Sequence, residues 1–247
     1  MSAADFYTGI VPDVYAALRG TTFDASPYLD FVREHGEPAL ELGCGDDGPF
    51  FELVRQGMDV EGVDSSRDML DRAHSRAEAE GLQIVTHCQT MQGLRLPRRY
   101  RSIYLAGPTF TLLPDDEAAL QTLRGIAAHL DADGRVMVPL WIPQPTSHAD
   151  LGLTRETTTA DGSIARYTVE SEEYDVTSRT RRTLTRYELR ASDRADVVQR
   201  EWVIHWHTPQ GFADLAAAAG LGVVSADPIV DGEFTVYLAR TDAAASR

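Results

Sequence analysis

The chain has 247 residues, 43% hydrophobic and 25% charged, enough for one large domain or for a domain with a sizeable insertion. Its 38 acidic and 23 basic residues give a net charge of −15. Because a surface of this charge repels phosphate backbones and anionic lipids, we expect neither nucleic acid nor a membrane as a partner. Cys44 and Cys88 are too few for a disulfide framework, and without a long apolar run or a signal-peptide pattern we expect a cytoplasmic protein.

Residues 1–36 predict a helical cap made of two short helices. Apolar side chains recur at helical spacing on both sides of a break near Gly20-Thr21-Thr22, with Val14 and Leu18 before it and Leu29 after it. Such spacing places one apolar face of each helix against a core.

Residues 37–142 alternate between short apolar runs and helical patterns. The runs predict five strands, at Ala39–Leu42, Val60–Val63, Leu82–His87, Ser102–Ala106 and Arg135–Leu140. Helices are expected up to Gln56, from the N-cap Ser66 to Gly81, and from Asp115 to Leu130. This alternation with short connections is typical of a mostly parallel sheet covered on both faces.

The pattern changes over residues 143–207. Four extended segments follow the loop Pro143-Gln144-Pro145, near 152–158, 164–174, 181–190 and 198–207, and Asp161-Gly162 is a strong hairpin turn. We therefore predict an antiparallel sheet inserted after the fifth strand. Residues 208–241 then return to the main sheet as a helix and a hairpin, and the tail after Thr241 is expected to be disordered.

A glycine-rich turn follows the first predicted strand, with the pattern Glu41-x-Gly43-x-Gly45-x-x-Gly48. Glycine allows backbone amides to approach a ligand without a Cβ clash. Asp64 ends the second strand, where a carboxylate can accept hydrogen bonds from both ribose hydroxyls. Together these features predict a site for an adenosine cofactor.

This spacing of glycines fits a nicotinamide dinucleotide as well as S-adenosylmethionine. Glu41 favours the second ligand, because a carboxylate there can neutralise a charged amino group and would repel a pyrophosphate. Asp46 and Asp47 also place negative charge at a turn that would otherwise attract phosphate. The turn Asp231-Gly232-Glu233 predicts an antiparallel last strand, and the absence of lysine removes a Tyr-x-x-x-Lys pair. An NAD-dependent oxidoreductase stays a weaker alternative.

From about Tyr28 to Arg240 the chain resembles a class I S-adenosylmethionine-dependent methyltransferase. Its insertion is similar to that of the sugar-amine N,N-dimethyltransferases and related small-molecule methyltransferases of natural-product pathways. The segments that carry the resemblance are Glu41-Leu42-Gly43-Cys44-Gly45, Gly62-Val63-Asp64-Ser65-Ser66-Arg67-Asp68-Met69-Leu70, Leu96-Pro97-Arg98-Arg99-Tyr100, Pro114-Asp115-Asp116-Glu117-Ala118, Gly134-Arg135-Val136 and Thr208-Pro209-Gln210-Gly211-Phe212.

The resemblance implies a doubly wound, seven-stranded Rossmann-like α/β sheet and a set of cofactor-binding residues. We assign to that set Glu41, Gly43, Gly45, Asp64, Ser65, Met69, Thr90, Met91 and Leu105. The glycines would lie under the methionine moiety, Asp64 would hold the ribose, and Ser65 and Met69 would flank the adenine. The family has Gly-Asp-Met where this chain has Gln89-Thr90-Met91, so Thr90 or Gln89 would replace the aspartate that receives the adenine amino group.

The implied activity is methyl transfer from S-adenosylmethionine to an N or O atom of a small molecule, by a monomer or homodimer. An alternative is a protein of this fold that binds the cofactor without methylating, such as a cyclase or an accessory partner. Substrates of such sheets bind outside the carboxyl ends of the strands. The expected substrate contacts are Tyr7, Tyr15, Thr109, Trp141 and Trp206, with the inserted sheet covering them.

His207 and His205 are the candidate general bases, because they alternate along one extended segment and titrate near neutral pH. A packing role is the alternative for both histidines. We expect no metal site.

A stripe of arginines in the inserted sheet has two interpretations, a solvated face that pairs with Glu170, Glu172 and Glu173, or an anion contact. Its members are Arg179, Arg181, Arg182, Arg186 and Arg190.

Overall fold

The structure is a computed structural model that describes residues 6–19, 24–159, 161–192 and 194–241. The predicted break at Gly20-Thr21-Thr22 and the tail after Thr241 lie outside these residues. The chain divides into two compact units. Residues 23–142 and 206–247 form the main unit, and residues 1–22 and 143–205 form the insert unit. The predicted domain boundaries at residues 36, 142 and 207 stay predictions.

The main unit is a seven-stranded sheet with helices on both faces. Its strands are β1 (Ala39–Leu42), β2 (Val60–Asp64), β3 (Val85–Cys88), β4 (Tyr100–Leu105), β5 (Leu130–Trp141), β10 (Leu221–Ala226) and β11 (Glu233–Arg240). Its helices are α2 (Ser26–His35), α3 (Pro49–Arg55), α4 (Arg67–Glu80), α5 (Asp116–His129) and α6 (Pro209–Ala218), with 3₁₀ turns at Met91–Gly93 and Thr109–Leu112. The strand order is β10-β11-β5-β4-β1-β2-β3, in which β1 to β5 are parallel and β11 is antiparallel to β5. The predicted fold class is confirmed.

Burial on both faces explains the apolar runs of the central strands. Leu40 and Ile103 belong to a buried cluster with α5 and α6, whereas Ala39 and Tyr104 belong to one with α2, α3 and α4. Ser66 caps α4 as predicted, because its hydroxyl accepts a hydrogen bond from the Met69 amide. These strands and helices hold the carboxyl ends of β1, β2 and β4 side by side at one edge of the sheet.

Two predicted strand boundaries differ from the structure. The third strand was expected from Leu82, but Leu82 donates its amide to the Ala77 carbonyl at the end of α4. The β3 ladder therefore begins only at Val85, which pairs with Glu61. The fifth strand extends over Leu130–Trp141, because pairing with β11 reaches Trp141 and pairing with β4 reaches Leu130.

The insert unit is a four-stranded antiparallel sheet with one helix against it. The strands are β6 (Thr154–Thr158), β7 (Ile164–Asp175), β8 (Thr180–Arg190) and β9 (Ala195–His205), paired in chain order, and the helix is α1 (Val11–Arg19). Val11 and Val14 of α1 pack against Ala165 and Tyr187 of the sheet. The four predicted extended segments are confirmed as strands, but the last one ends at His205. The expectation that His205 and His207 alternate along one strand is therefore wrong, because strand pairing with β8 stops at His205. Among the described residues, no helix is long and apolar enough to cross a membrane.

Candidate active site

The glycine turn after β1 is held against β2 by main-chain hydrogen bonds. The amides of Gly43 and Cys44 both donate to the Val63 carbonyl, at 2.7 and 3.0 Å. Gly43 has a φ of +75°, and a Cβ there would lie 2.5 Å from the Thr109 Cγ2 atom. Glycine is therefore required at this position both by the backbone conformation and by the space available.

Asp64 ties this turn to the end of β2. Its Oδ2 accepts a hydrogen bond from the Gly45 amide at 2.9 Å, and its Oδ1 accepts one from the Ser66 amide at 2.8 Å. Burial raises the pKa of the Asp64 carboxyl, although these main-chain hydrogen bonds favour the charged form. Each carboxylate oxygen has a second lone pair, so Asp64 can hold the turn and still accept hydrogen bonds from ligand hydroxyls.

Glu41 is a buried acid behind the turn, with only 1% of its surface exposed. Its Oε2 atom has no hydrogen-bond partner of normal geometry among the described residues. Burial raises the pKa of Glu41 well above its usual range, and the nearby Asp64 charge adds to the rise. The Tyr104 hydroxyl and the Phe50 amide favour the charged form but do not outweigh burial. The site thus contains a buried carboxyl that has no ion-pair partner among the described residues and is favoured in its neutral form.

Asp46 and Asp47 do not make the turn as negative as the sequence led us to expect. Asp46 pairs with Arg72 and Asp47 with Arg76, both at 2.7 Å, and both arginines lie on α4. Their charges are balanced by these ion pairs, so they do not discriminate between the two cofactors. Arg72 and Arg76 are four residues apart and so lie on the same face of α4. This spacing is the feature of the sequence that could have indicated the two ion pairs.

On the side predicted for the adenine, the environments of Gln89 and Thr90 differ. The Gln89 side chain donates through its amide to the Arg95 carbonyl and accepts through its Oε1 from the Arg95 amide. Thr90 is exposed at the start of the 3₁₀ turn, and the role of either residue in adenine binding stays a prediction. Ser65 is half-buried beside Asp64, Met91 packs at the rim of the core, and the Met69 methyl group approaches Gly45.

The loop after β4 is fixed by a residue whose role the sequence did not reveal. The Tyr28 hydroxyl, from α2, accepts a hydrogen bond from the Gly107 amide at 2.8 Å. Burial raises the pKa of Tyr28 to about 12, so it is neutral at physiological pH. The Thr109 hydroxyl donates a hydrogen bond to the Ala106 carbonyl at 2.7 Å. These two hydrogen bonds hold the segment after Leu105 next to the glycine turn.

His207 lies in the main unit, and its side chain is wholly buried. Its Nδ1 is 3.5 Å from an Asp116 carboxylate oxygen, and its ring is tilted against Phe110, with centroids 5.7 Å apart. Phe110 directly follows Thr109, which contacts the glycine turn. Trp206 is buried, and Trp141 ends β5 opposite Glu233.

Residues 39–134 match a family model described as a methyltransferase domain. This segment of the chain is therefore similar to a methyltransferase domain. The match covers β1 to α5 and the first residues of β5, and so includes the glycine turn, Asp64, Thr90 and Thr109. The family predicted from the sequence is confirmed.

Two curated relatives and one solved structure extend this comparison. The chain is 30% identical over 138 residues to a cypemycin N-terminal methyltransferase of Streptomyces sp., covering 54% of this chain and 56% of the relative. It is 28% identical over 163 residues to the dTDP-3-amino-3,4,6-trideoxy-alpha-D-glucopyranose N,N-dimethyltransferase of Streptomyces venezuelae, covering 63% and 66%. The match thus spans less than two thirds of either relative.

The crystal structure of Streptomyces venezuelae DesVI superposes with a TM-score of 0.75 at 21% identity, covering 95% of this chain and all of that one, which shows a shared fold.

Outside the methyltransferase domain, the insert unit holds the other predicted substrate and catalytic residues. Tyr7 and Tyr15 meet edge to face at 5.5 Å, and Tyr7 also contacts Trp202 at 6.1 Å. His205 is buried at the end of β9, where it pairs with Thr180 of β8. Their roles in substrate binding and catalysis stay predictions.

The arginine stripe of the insert unit is largely used in ion pairs. Arg181 pairs with the predicted partner Glu172 at 2.6 Å, but both side chains are largely buried rather than on a solvated face. Arg186 pairs with Glu188, and Arg182 with Glu201, so these partners differ from the predicted ones. The pairing leaves these three arginines little capacity for an external anion.

Proposed function

We propose that the protein transfers a methyl group from S-adenosylmethionine to a small molecule of a natural-product pathway. The cofactor supplies an electrophilic methyl group on a sulfonium. The protein must bind the cofactor, align the acceptor and exclude water, because the reaction is an in-line displacement.

The observation that carries this proposal is the uncompensated Glu41 carboxyl. A buried carboxyl with one oxygen left without a hydrogen-bond partner is costly to ionise, and a cationic ligand would lower that cost. S-adenosylmethionine has two positive groups, whereas the pyrophosphate of a dinucleotide would be repelled. The residues present therefore fit S-adenosylmethionine better than NAD.

The other cofactor residues have complementary roles in this proposal. Asp64 would accept hydrogen bonds from the ribose hydroxyls, with its carboxylate already oriented by the Gly45 and Ser66 amides. Thr90 would accept from the adenine amino group. Gly43 and Gly45 keep the floor of the site free of side chains, and Leu105 ends the strand that leads to the loop fixed by Tyr28.

We further propose that the acceptor atom is an amine nitrogen. One relative is named as an N-terminal methyltransferase and the other as an N,N-dimethyltransferase. An amine that is protonated at neutral pH must first lose that proton, so that its lone pair can attack the methyl group. His207 is the preferred base, since its Nδ1 lies 3.5 Å from an Asp116 carboxylate oxygen that can orient the ring. His205, and the role of the inserted sheet in acceptor specificity, stay predictions, as do the cytoplasmic location and the monomeric or dimeric state.

The test is incubation with S-adenosylmethionine labelled in its methyl group and a panel of small amines and matched alcohols. Label should pass to at least one amine, and S-adenosylhomocysteine should accumulate with it. Cofactor binding without transfer to any acceptor would support the alternative of a binding protein, and transfer to alcohols alone would contradict the choice of nitrogen.

A further inference from the structure

One face of the insert sheet carries four buried polar atoms that have no hydrogen-bond partner among the described residues. These atoms are Thr185 Oγ1, Tyr187 Oη, Arg200 Nε and Trp202 Nε1. Thr185 and Tyr187 are 0% and 1% exposed. Because buried polar groups are nearly always hydrogen-bonded in folded proteins, four orphans in one place need an explanation.

The strand register brings these four side chains together. Thr185 of β8 lies directly opposite Arg200 of β9, and Thr183 lies opposite Trp202. Residues two apart on a strand share a face, so Tyr187 is the diagonal neighbour of Arg200 on the same face as Trp202. Directly opposed side chains have Cβ atoms about 5 Å apart.

Arg200 differs from the arginines beside it. Arg181, Arg182 and Arg186 all pair with carboxylates. Arg200 is half-buried, and its guanidinium bonds only the Gln199 carbonyl and, at 3.4 Å, the Thr8 hydroxyl among the residues that the structure describes. A partly desolvated cation without a counter-ion is costly, and it is unexpected in a chain with 15 surplus negative charges.

Aromatic rings surround this cluster. Phe6 lies edge to face against Trp202 at 4.7 Å and against Tyr187 at 6.1 Å. Tyr7 also contacts Trp202. Flat, rigid aromatic surfaces are typical of sites that hold a ring.

We propose that Arg200, Trp202, Tyr187 and Thr185 form a subsite for an oxyanion, a carboxylate or a phosphate, borne on a ring of the methyl acceptor. Arg200 Nε and Trp202 Nε1 are obligatory donors, and the two hydroxyls can donate as well. Four donors, one of them cationic, match an acceptor-rich anion. The inference rests on the proposed function, which supplies the acceptor, and it moves the anion contact from the predicted arginine stripe to Arg200.

The test uses three probes with one ring: phenyl phosphate, benzoate and the neutral benzamide. Binding is followed by NMR through the indole N–H signal of Trp202, which the variant W202F identifies. We expect saturable shifts with at least one anionic probe at millimolar concentration and none with benzamide. The preferred anion identifies the source as a phosphate or a carboxylate. No response to either anion overturns the proposal.

Variants separate a binding role from a structural one. R200M should weaken binding of the anionic probe at least tenfold, and R200K should restore part of it. The control R182M, which removes an exposed arginine from the other face of the same sheet, should stay within twofold of wild type. Without probe, R200M should melt at the same temperature as wild type or higher, since an uncompensated charge is removed. Equal affinity in R200M, or a marked loss of its stability, overturns the proposal.

Binding of S-adenosylhomocysteine, measured on the same samples, keeps this inference distinct from the proposed function. Its dissociation constant should be unchanged in R200M. If the wild-type protein does not bind S-adenosylhomocysteine, the proposed function is contradicted. If it binds S-adenosylhomocysteine but neither anionic probe, only the oxyanion subsite is contradicted.

Discussion

Glu41→Gln should make the cofactor-free protein more stable at neutral and alkaline pH. Glu41 is buried, its Oε2 has no partner among the described residues, and burial raises its pKa. A carboxyl with a raised folded-state pKa contributes stability below its unfolded pKa, and this contribution is lost as the pH rises through the folded-state value. Glutamine has the same shape and does not ionise, so the variant escapes this loss.

The size of the effect follows from the usual cost of one unsatisfied buried group, about 1–3 kcal/mol. We therefore propose urea unfolding of wild type and E41Q at pH 5, 6.5 and 8. The free energy of unfolding of E41Q relative to wild type should increase by this amount from pH 5 to pH 8. The other titrating groups are common to both proteins and cancel in the difference. The control E78Q changes an exposed glutamate of α4 and should differ from wild type by less than about 0.5 kcal/mol at each pH.

The same substitution should weaken cofactor binding. Loss of a charged contact to the cationic ligand costs about 1.5–3 kcal/mol, which is roughly a tenfold to hundredfold rise in the dissociation constant of S-adenosylmethionine. Wild-type affinity should increase with pH, because binding favours the ionised carboxylate, and E41Q should lack that component. A stability difference that does not change with pH, together with unchanged affinity, would refute the assignment of Glu41 as an uncompensated acid.

Three further substitutions test other parts of the site. Asp64→Ala removes the acceptor of the Gly45 and Ser66 amides and should weaken S-adenosylhomocysteine binding in calorimetry by about 2 kcal/mol; an unchanged dissociation constant would exclude Asp64 as the ribose ligand. Thr90→Asp should tighten binding about fivefold, since a charged acceptor adds about 1 kcal/mol, and weaker binding would show that the adenine is held elsewhere. His207→Ala and His205→Ala should leave cofactor affinity within about twofold, and one of them should lower turnover about 10² or more if it is the general base. Full activity of both variants from pH 6 to 9 would assign the histidines to packing.

Local rules account for the parts of the fold that the sequence predicted well. The central parallel strands β1 and β4 are short, largely apolar runs that are almost wholly buried, and the cap at Ser66 and the turn at Gly43 follow from single-residue chemistry. The third strand was predicted to start at Leu82 rather than at Val85, because Leu82 and Ile84 are apolar for another reason. They pack beside the end of α4, and apolar character alone does not distinguish this from a strand.

Pairings between distant residues account for what the sequence did not reveal. Asp46 and Asp47 meet arginines of α4, so their effect on the turn depends on tertiary structure. The Gln89 side chain is used by the Arg95 backbone, a long-range pairing that its position in the sequence does not indicate. Arg200 stands out only when the partners of its neighbours are known. The composition and spacing of the sequence indicate which residue types a site contains. The ion-pair partners of its charged residues can be identified only from the three-dimensional structure.

Calorimetry with S-adenosylmethionine, S-adenosylhomocysteine and NADH tests the central claim most directly. The claim is that the turn at Gly43 and Gly45, with Glu41 behind it and Asp64 beside it, binds S-adenosylmethionine rather than a dinucleotide. We predict that the first two ligands bind with one site per chain and raise the melting temperature by mass action, and that NADH does neither at millimolar concentration. Binding of NADH, with no heat and no thermal shift from either S-adenosyl ligand, would contradict it.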